Sequence, residues 1–149
     1  VKLTDFDLTR ESTPRKTRRQ AGTAAYMAPE QIRKGIVGTA ADVFAFGILA
    51  YQLVTGKMPF QGKHEKQLRW RQTSDRFVPK PPRSLNPELS PKLDLMIMKC
   101  LEKNVATRYQ SAGGIYADLA AFKRAHQIAF DAADLSAVLK QHFRPAAQG

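Results

Sequence analysis

The chain has 149 residues, with 24 Lys+Arg against 13 Asp+Glu for a formal net charge of +11, and it is 43% hydrophobic with 8 Phe, 4 Tyr and 1 Trp. That length and apolar content suit one packed domain and exclude wholesale disorder, while the lone Cys100 excludes an internal disulfide framework or a cysteine-based zinc site. No apolar stretch is long enough to span a membrane and no basic-then-apolar leader opens the chain, so a reducing, cytoplasmic setting is the expectation.

Val1-Lys2-Leu3-Thr4 alternates apolar and polar and reads as the end of a strand. Residues 5–28 lack periodicity and read as a long loop, a feature that is usually functional or mobile in a compact chain. Pro29-Glu30-Gln31-Ile32 opens a short helix, Pro being tolerated in a first turn. Thr39-Ala40-Ala41-Asp42 has the spacing of a capping box and leads into residues 43–54, apolar almost all round, which predicts a buried central helix. Asp42 is the odd feature there, because a carboxylate at a buried helix needs hydrogen-bond donors. Gly56 and Pro59 end the helix.

Residues 63–73 form a polar helix with Leu68 and Trp70 as anchors, and the prolines of 78–91 make an extended connection. Ser90-Pro91 caps a helix carrying Leu93, Met96, Ile97, Cys100 and Leu101 on one face. A second amphipathic helix carries Ala112, Ile115, Tyr116, Leu119 and Phe122, and a third, with Leu135, Val138, Leu139 and Phe143, follows Asp131-Ala132-Ala133-Asp134. His64, His126 and His142 lack metal-ligand spacing and read as surface or packing residues. The expected architecture is mostly α.

The positive charge is local. Residues 1–35 hold 8 basic and 4 acidic side chains, residues 57–83 hold 8 and 2, and residues 84–149 hold 8 and 6. The two basic stretches are either solvated surfaces or contacts for something anionic, whether phosphate, acidic peptide or nucleic acid.

Several motifs together resemble protein kinases. Lys2-Leu3-Thr4-Asp5-Phe6-Asp7 resembles the strand and D-F-G motif, and Ala28-Pro29-Glu30 the A-P-E motif that ends the activation segment. Between them, Gly22-Thr23-Ala24-Ala25-Tyr26-Met27 is similar to the G-T-x-x-Y-M of Ser/Thr kinases, especially bacterial, Hanks-type ones. Asp42-Val43-Phe44-Ala45-Phe46-Gly47 with Gly56-Lys57-Met58-Pro59-Phe60 resembles the central helix and the turn after it. Cys100-Leu101-Glu102-Lys103-Asn104 with Arg108-Tyr109 resembles the segment that ends the lobe. The resemblance covers residues 1–124 and implies the second half of the helical C-terminal lobe of a kinase-like fold, with 125–149 as a helical extension.

No G-x-G-x-x-G, V-A-I-K lysine or H-R-D-x-x-x-x-N loop occurs in the 149 residues. The expectation is therefore a piece of a kinase that begins at the D-F-G strand, lacks the nucleotide cradle and the catalytic Asp, and is inactive alone.

The resemblance implies ATP and Mg²⁺ as cofactors of the intact parent, with Asp5 as a metal ligand, and a protein substrate with a Ser or Thr acceptor. Gly22 and Thr23 would shape the peptide site. Thr17, Thr13 and Ser12 are expected phosphosites in a basic loop, where phosphate pairs with nearby Arg. Glu30 and Arg108 match a buried ion pair, and Asp42 an aspartate that takes hydrogen bonds from the catalytic loop. Asp7 stands where the family has Gly, which points to altered activity and supports the alternative of a pseudokinase-like interaction module. The missing upstream part of the kinase domain is an expected partner. Nucleic acid is not, since no binding motif accompanies the charge.

Overall fold

The structure, a computed structural model, describes residues 22–127. The expected strand at 1–4, the motif and phosphosite residues up to Arg19, and the helix over 135–143 lie outside the described residues. Two compact units divide between Ala112 and Gly113. Among the described residues there is no strand, and the full elements are five α-helices and one 3-10 turn.

The short helix α1, Pro29–Lys34, starts with Pro in its first turn, where a missing N–H costs nothing. Gln31 Oε1 reaches back to accept the Ala28 N–H at 2.8 Å. Glu30 in the first turn and Arg33 and Lys34 in the last complement the helix dipole.

The long helix α2, Thr39–Thr55, begins one residue earlier than a capping box on Thr39 requires. Its N-cap is Gly38, with no side-chain cap, and the Thr39 hydroxyl instead donates to Gln110 O at 3.1 Å. The Thr39–Asp42 box is thereby corrected. Gly56 closes the helix with φ 71°, a left-handed angle that favours glycine, and its N–H donates to Gln52 O at 2.8 Å.

α2 is buried on one side only. Ala41, Val43, Phe44, Gly47, Ile48 and Tyr51 are buried, whereas Phe46, Leu49 and Leu53 are exposed on the opposite face. The expectation of all-round burial is corrected: an apolar residue is buried only where another element packs on it.

Helix α3, Glu65–Thr73, is polar and is capped by His64, whose Nδ1 accepts the Gln67 N–H at 3.2 Å. Trp70 is half exposed, and the side chain that α3 buries completely is Gln72. A 3-10 turn, Pro82–Ser84, precedes α4, Pro91–Cys100. Ser90 caps α4 by accepting the Lys92 N–H, and Asp94 Oδ1 accepts the Arg83 N–H at 2.7 Å, which fastens the proline-rich connection to the helix.

The core lies where α2 crosses α4, and it gathers Phe44, Ile48, Tyr51, Phe60, Ile97 and Leu101. Phe44 and Phe60 stack with centroids 5.7 Å apart, and Phe77 joins Phe60 at 6.0 Å. Each such side chain, fully buried, contributes about 1.5–3 kcal/mol of transfer free energy. In helix α5, Ala112–Ala125, Ile115 and Phe122 are buried, while Tyr116 and Leu119, expected on the same inner face, are exposed.

Candidate functional site

Residues 22–30 run from a helical turn at 22–24 into α1, and three side chains hold this segment in place. The first is Arg108, which is buried beside the Phe44 ring with its guanidinium 5.0 Å from the centroid. Its Nη1 donates to Glu30 Oε1 and to Ala40 O, both at 2.7 Å, and its Nη2 donates to Glu30 Oε2 at 3.0 Å. Nε donates to Glu102 O at 2.8 Å. One planar fork thus joins α1, the start of α2 and the loop after α4.

Burial alone would raise the Glu30 carboxyl. The hydrogen bonds from Arg108 and from its own backbone, with the charges of Arg108 and Arg33, outweigh burial and hold it below the ordinary carboxylate value.

The second is Gln72. Its Nε2 donates to Ala24 O at 2.9 Å, Ala25 O at 3.2 Å and Met27 O at 3.3 Å. Oε1 is buried without a hydrogen-bond partner among the described residues. Turning the amide over would aim that oxygen at three carbonyls, so the donor orientation is the favoured one. The third is Tyr26, whose hydroxyl donates to Gln52 Oε1 at 3.0 Å on α2. Arg33 adds a bond from α1 to Thr73 O at the end of α3.

Among the residues the sequence singled out, the structure brings Glu30 and Arg108 together. Thr23 is exposed at the head of the anchored segment, and its carbonyl accepts the Tyr26 N–H at 3.1 Å. Gly22 is exposed too, and a Cβ added there would meet nothing. Asp42 is exposed on the first turn of α2, so the buried carboxylate inferred from its neighbours is corrected: it sits on the open face of the helix with Phe46. Asp5, Ser12, Thr13 and Thr17 lie outside the described residues. Among the described residues no group of three or more His, Cys, Asp or Glu could hold a metal ion. The Mg²⁺ expectation therefore rests on Asp5. No helix among the described residues is long and apolar enough to cross a membrane.

Gln72 escaped the sequence reading because a glutamine within a polar helix looks like any solvated residue. Lys103 reads in the sequence only as part of the segment that ends the lobe, with no role of its own. Its ammonium donates to Ser74 O and Phe77 O beneath the Phe60 and Phe77 rings. Burial, more than the opposing charge of Asp75, lowers its pKa below the ordinary lysine value, and Arg33 lowers it further.

The family model described as the protein kinase domain matches residues 1–118. A probable serine/threonine-protein kinase of Clostridium acetobutylicum is 34% identical over 126 residues, covering 83% of this chain and 19% of that protein. The serine/threonine-protein kinase PknB of Mycolicibacterium smegmatis is 34% identical over 124 residues, and PknB of Mycobacterium tuberculosis is 35% identical over 124; each match covers 80% of this chain and 20% of the relative. The chain spans about a fifth of the length of these curated relatives. It belongs to the protein kinase family, and its described helices are those of the second half of the helical C-terminal lobe.

Proposed function

We propose that this chain is the activation segment and adjoining helical lobe of a Ser/Thr protein kinase whose complete form transfers the γ-phosphoryl group of ATP to protein hydroxyls. The carrying observation is the bidentate pair of Arg108 with Glu30, which ties Ala28-Pro29-Glu30 to the rest of the lobe and leaves Thr23 exposed on an anchored segment. In this role Gly22 and Thr23 would shape the peptide site, Asp5 would hold Mg²⁺, whose charge would favour phosphoryl transfer, and phosphate on Thr17, Thr13 or Ser12 would order the loop through its neighbouring arginines. Asp42 would accept backbone donors from a catalytic loop, for which its exposed position on α2 leaves room. Residues 1–124 would form the kinase part and 125–149 a helical extension.

Asp7, in place of the family's glycine, favours a second role as a binding module without chemistry. One set of assays with ATP, Mg²⁺ and a generic protein acceptor separates the two. The 149-residue chain alone is expected to transfer no phosphate, since it holds neither the nucleotide lysine nor the catalytic Asp motif. The complete polypeptide that contains it is expected to phosphorylate Ser and Thr and to lose that activity with Asp5→Ala. A complete polypeptide that folds, binds partners and transfers nothing would establish the second role.

A further inference from the structure

A cleft of about 350 Å³ opens beside the C-terminal end of α2, against the chain at 77–85. Its apolar lining comes from Met58, Pro59, Phe77, Val78 and Leu85, and Val78 is 71% exposed at the edge. Tyr51 forms another part of the wall, and its hydroxyl donates to Lys80 O at 2.8 Å, which fastens the connection at 78–81 to α2.

The charged lining is entirely positive: Lys57, Arg71 and Lys80. Arg71 is held there, donating to Gln61 O at 2.7 Å with its guanidinium 5.1 Å from the centre of the Phe77 ring. None of these three cations is in an ion pair among the described residues. Neither acidic residue of 57–83 lines this cleft: Glu65 pairs with Arg69, and Asp75 lines an adjoining cleft with Lys103, on the other side of Phe77 and Val78, which both clefts share. The buried Asp94 does not line the cleft; burial and then its charge raise the Tyr51 pKa, and it accepts the Arg83 N–H.

Three like charges around an apolar hollow repel one another and focus a positive potential into it. A bare phosphate would leave the apolar lining unfilled, and a nucleic-acid backbone needs an extended basic track rather than a hollow. A short acidic peptide with one bulky apolar side chain satisfies both features at once. We propose that this cleft docks an acidic segment of a partner protein, seating an apolar side chain against Phe77 and Met58 while carboxylates meet Lys57, Arg71 and Lys80. Such docking goes beyond phosphoryl transfer and needs none, so it stands or falls independently of catalysis.

The test is fluorescence anisotropy of the 149-residue chain with a labelled nonapeptide of Glu and Asp around a central Phe. Saturable binding is expected, weakened about tenfold by Lys57→Glu with Lys80→Glu. Replacing the central Phe of the probe by Ser should also weaken binding about tenfold or more. Lys63→Glu with Lys66→Glu makes the same change of net charge outside the cleft and should weaken binding far less. If the cleft double variant melts lower than the parent chain, Lys57→Gln with Lys80→Gln replaces it, with a loss of about threefold expected. Absence of saturable binding up to about 1 mM, equal weakening by both double variants, or indifference to the Phe would each overturn the proposal. Displacement of the peptide by an equally charged oligothymidine at equal or lower concentration would overturn it in favour of nucleic acid.

Discussion

Arg108 shows how much one buried side chain can organise. Removing its carboxylate partner with Glu30→Gln leaves a buried guanidinium short of its counter-charge, a change that costs about 3–5 kcal/mol. Arg108→Ala should cost more, because Ala40 O and Glu102 O lose their donor as well. In a double-mutant cycle the two losses should fall short of additive, and strict additivity would show that the residues do not act as a pair. The pair also sets an acid limit. The Glu30 carboxyl titrates below its ordinary value in the folded chain, so between the folded and unfolded values the unfolded chain binds more protons and stability rises with pH. The contribution is complete above the ordinary carboxylate value and is lost as pH falls through the folded one. Glu30→Gln should flatten this part of the stability–pH curve in urea titrations. Gln72 makes a second, local claim. Gln72→Leu keeps the bulk but strips the donor from three carbonyls, so amide exchange at Tyr26 and Met27 should quicken by about tenfold while α4 is unaffected. Unchanged protection at those two amides would show that the segment is held by other contacts.

At the scale of elements, the crossing of α2 and α4 depends on Gly47. A Cβ there would lie 2.6 Å from the Cys100 Cβ and 3.2 Å from its carbonyl carbon, atoms that no side-chain rotation can move aside. Alanine gains about 1 kcal/mol of helix propensity over glycine, but overpacking of a core contact costs about 1–3 kcal/mol, and this clash belongs at the upper end. Gly47→Ala should therefore destabilise the chain by about 1–2 kcal/mol. Cys100 reports the result directly. Burial pushes its thiol up to about 12, against the milder opposing charges of Arg108 and Lys99, so iodoacetamide at pH 8 should leave it unmodified in the folded chain. Gly47→Ala should speed alkylation by about tenfold for each 1.4 kcal/mol lost. An unchanged rate would mean that the helices part without strain. The same crossing marks how far the sequence was legible. The face of α4 was readable because Leu93, Met96, Ile97, Cys100 and Leu101 stand out against polar neighbours; the last four are buried and Leu93 is half-buried. The inner side of α2 was not, because a helix apolar all round carries no phase. Glu30 and Arg108 were legible through family motifs alone. Gln72 was illegible by any local signal, because the carbonyls it serves lie 45 to 48 residues upstream.

For the whole molecule, the two sides of α2 set a balance between repulsion and apolar contact. Phe46, Leu49 and Leu53 follow the spacing of one helix face and are 43%, 46% and 72% exposed. A continuous apolar stripe of this kind favours association. Opposing it is a formal net charge of +11, which keeps copies apart at low ionic strength. Salt decides which prevails, since the screening length falls from about 30 Å at 0.01 M to about 8 Å at 0.15 M while the apolar attraction persists. The chain should therefore sediment as a monomer at low salt and associate as salt rises, the reverse of an assembly held by ion pairs. Leu49→Ser with Leu53→Ser removes the most exposed part of the stripe. Leu53 buries little in the folded chain and Leu49 about half of its surface, so the double variant should cost about 1–2 kcal/mol in all, from lost burial at Leu49 and from helix propensity. It should also remain monomeric at salt concentrations where the parent chain associates. Sedimentation velocity across a salt series, paired with thermal melts, measures both. A variant that associates like the parent would place the contact elsewhere, and one that melts far lower would mean that this face of α2 is packed in solution.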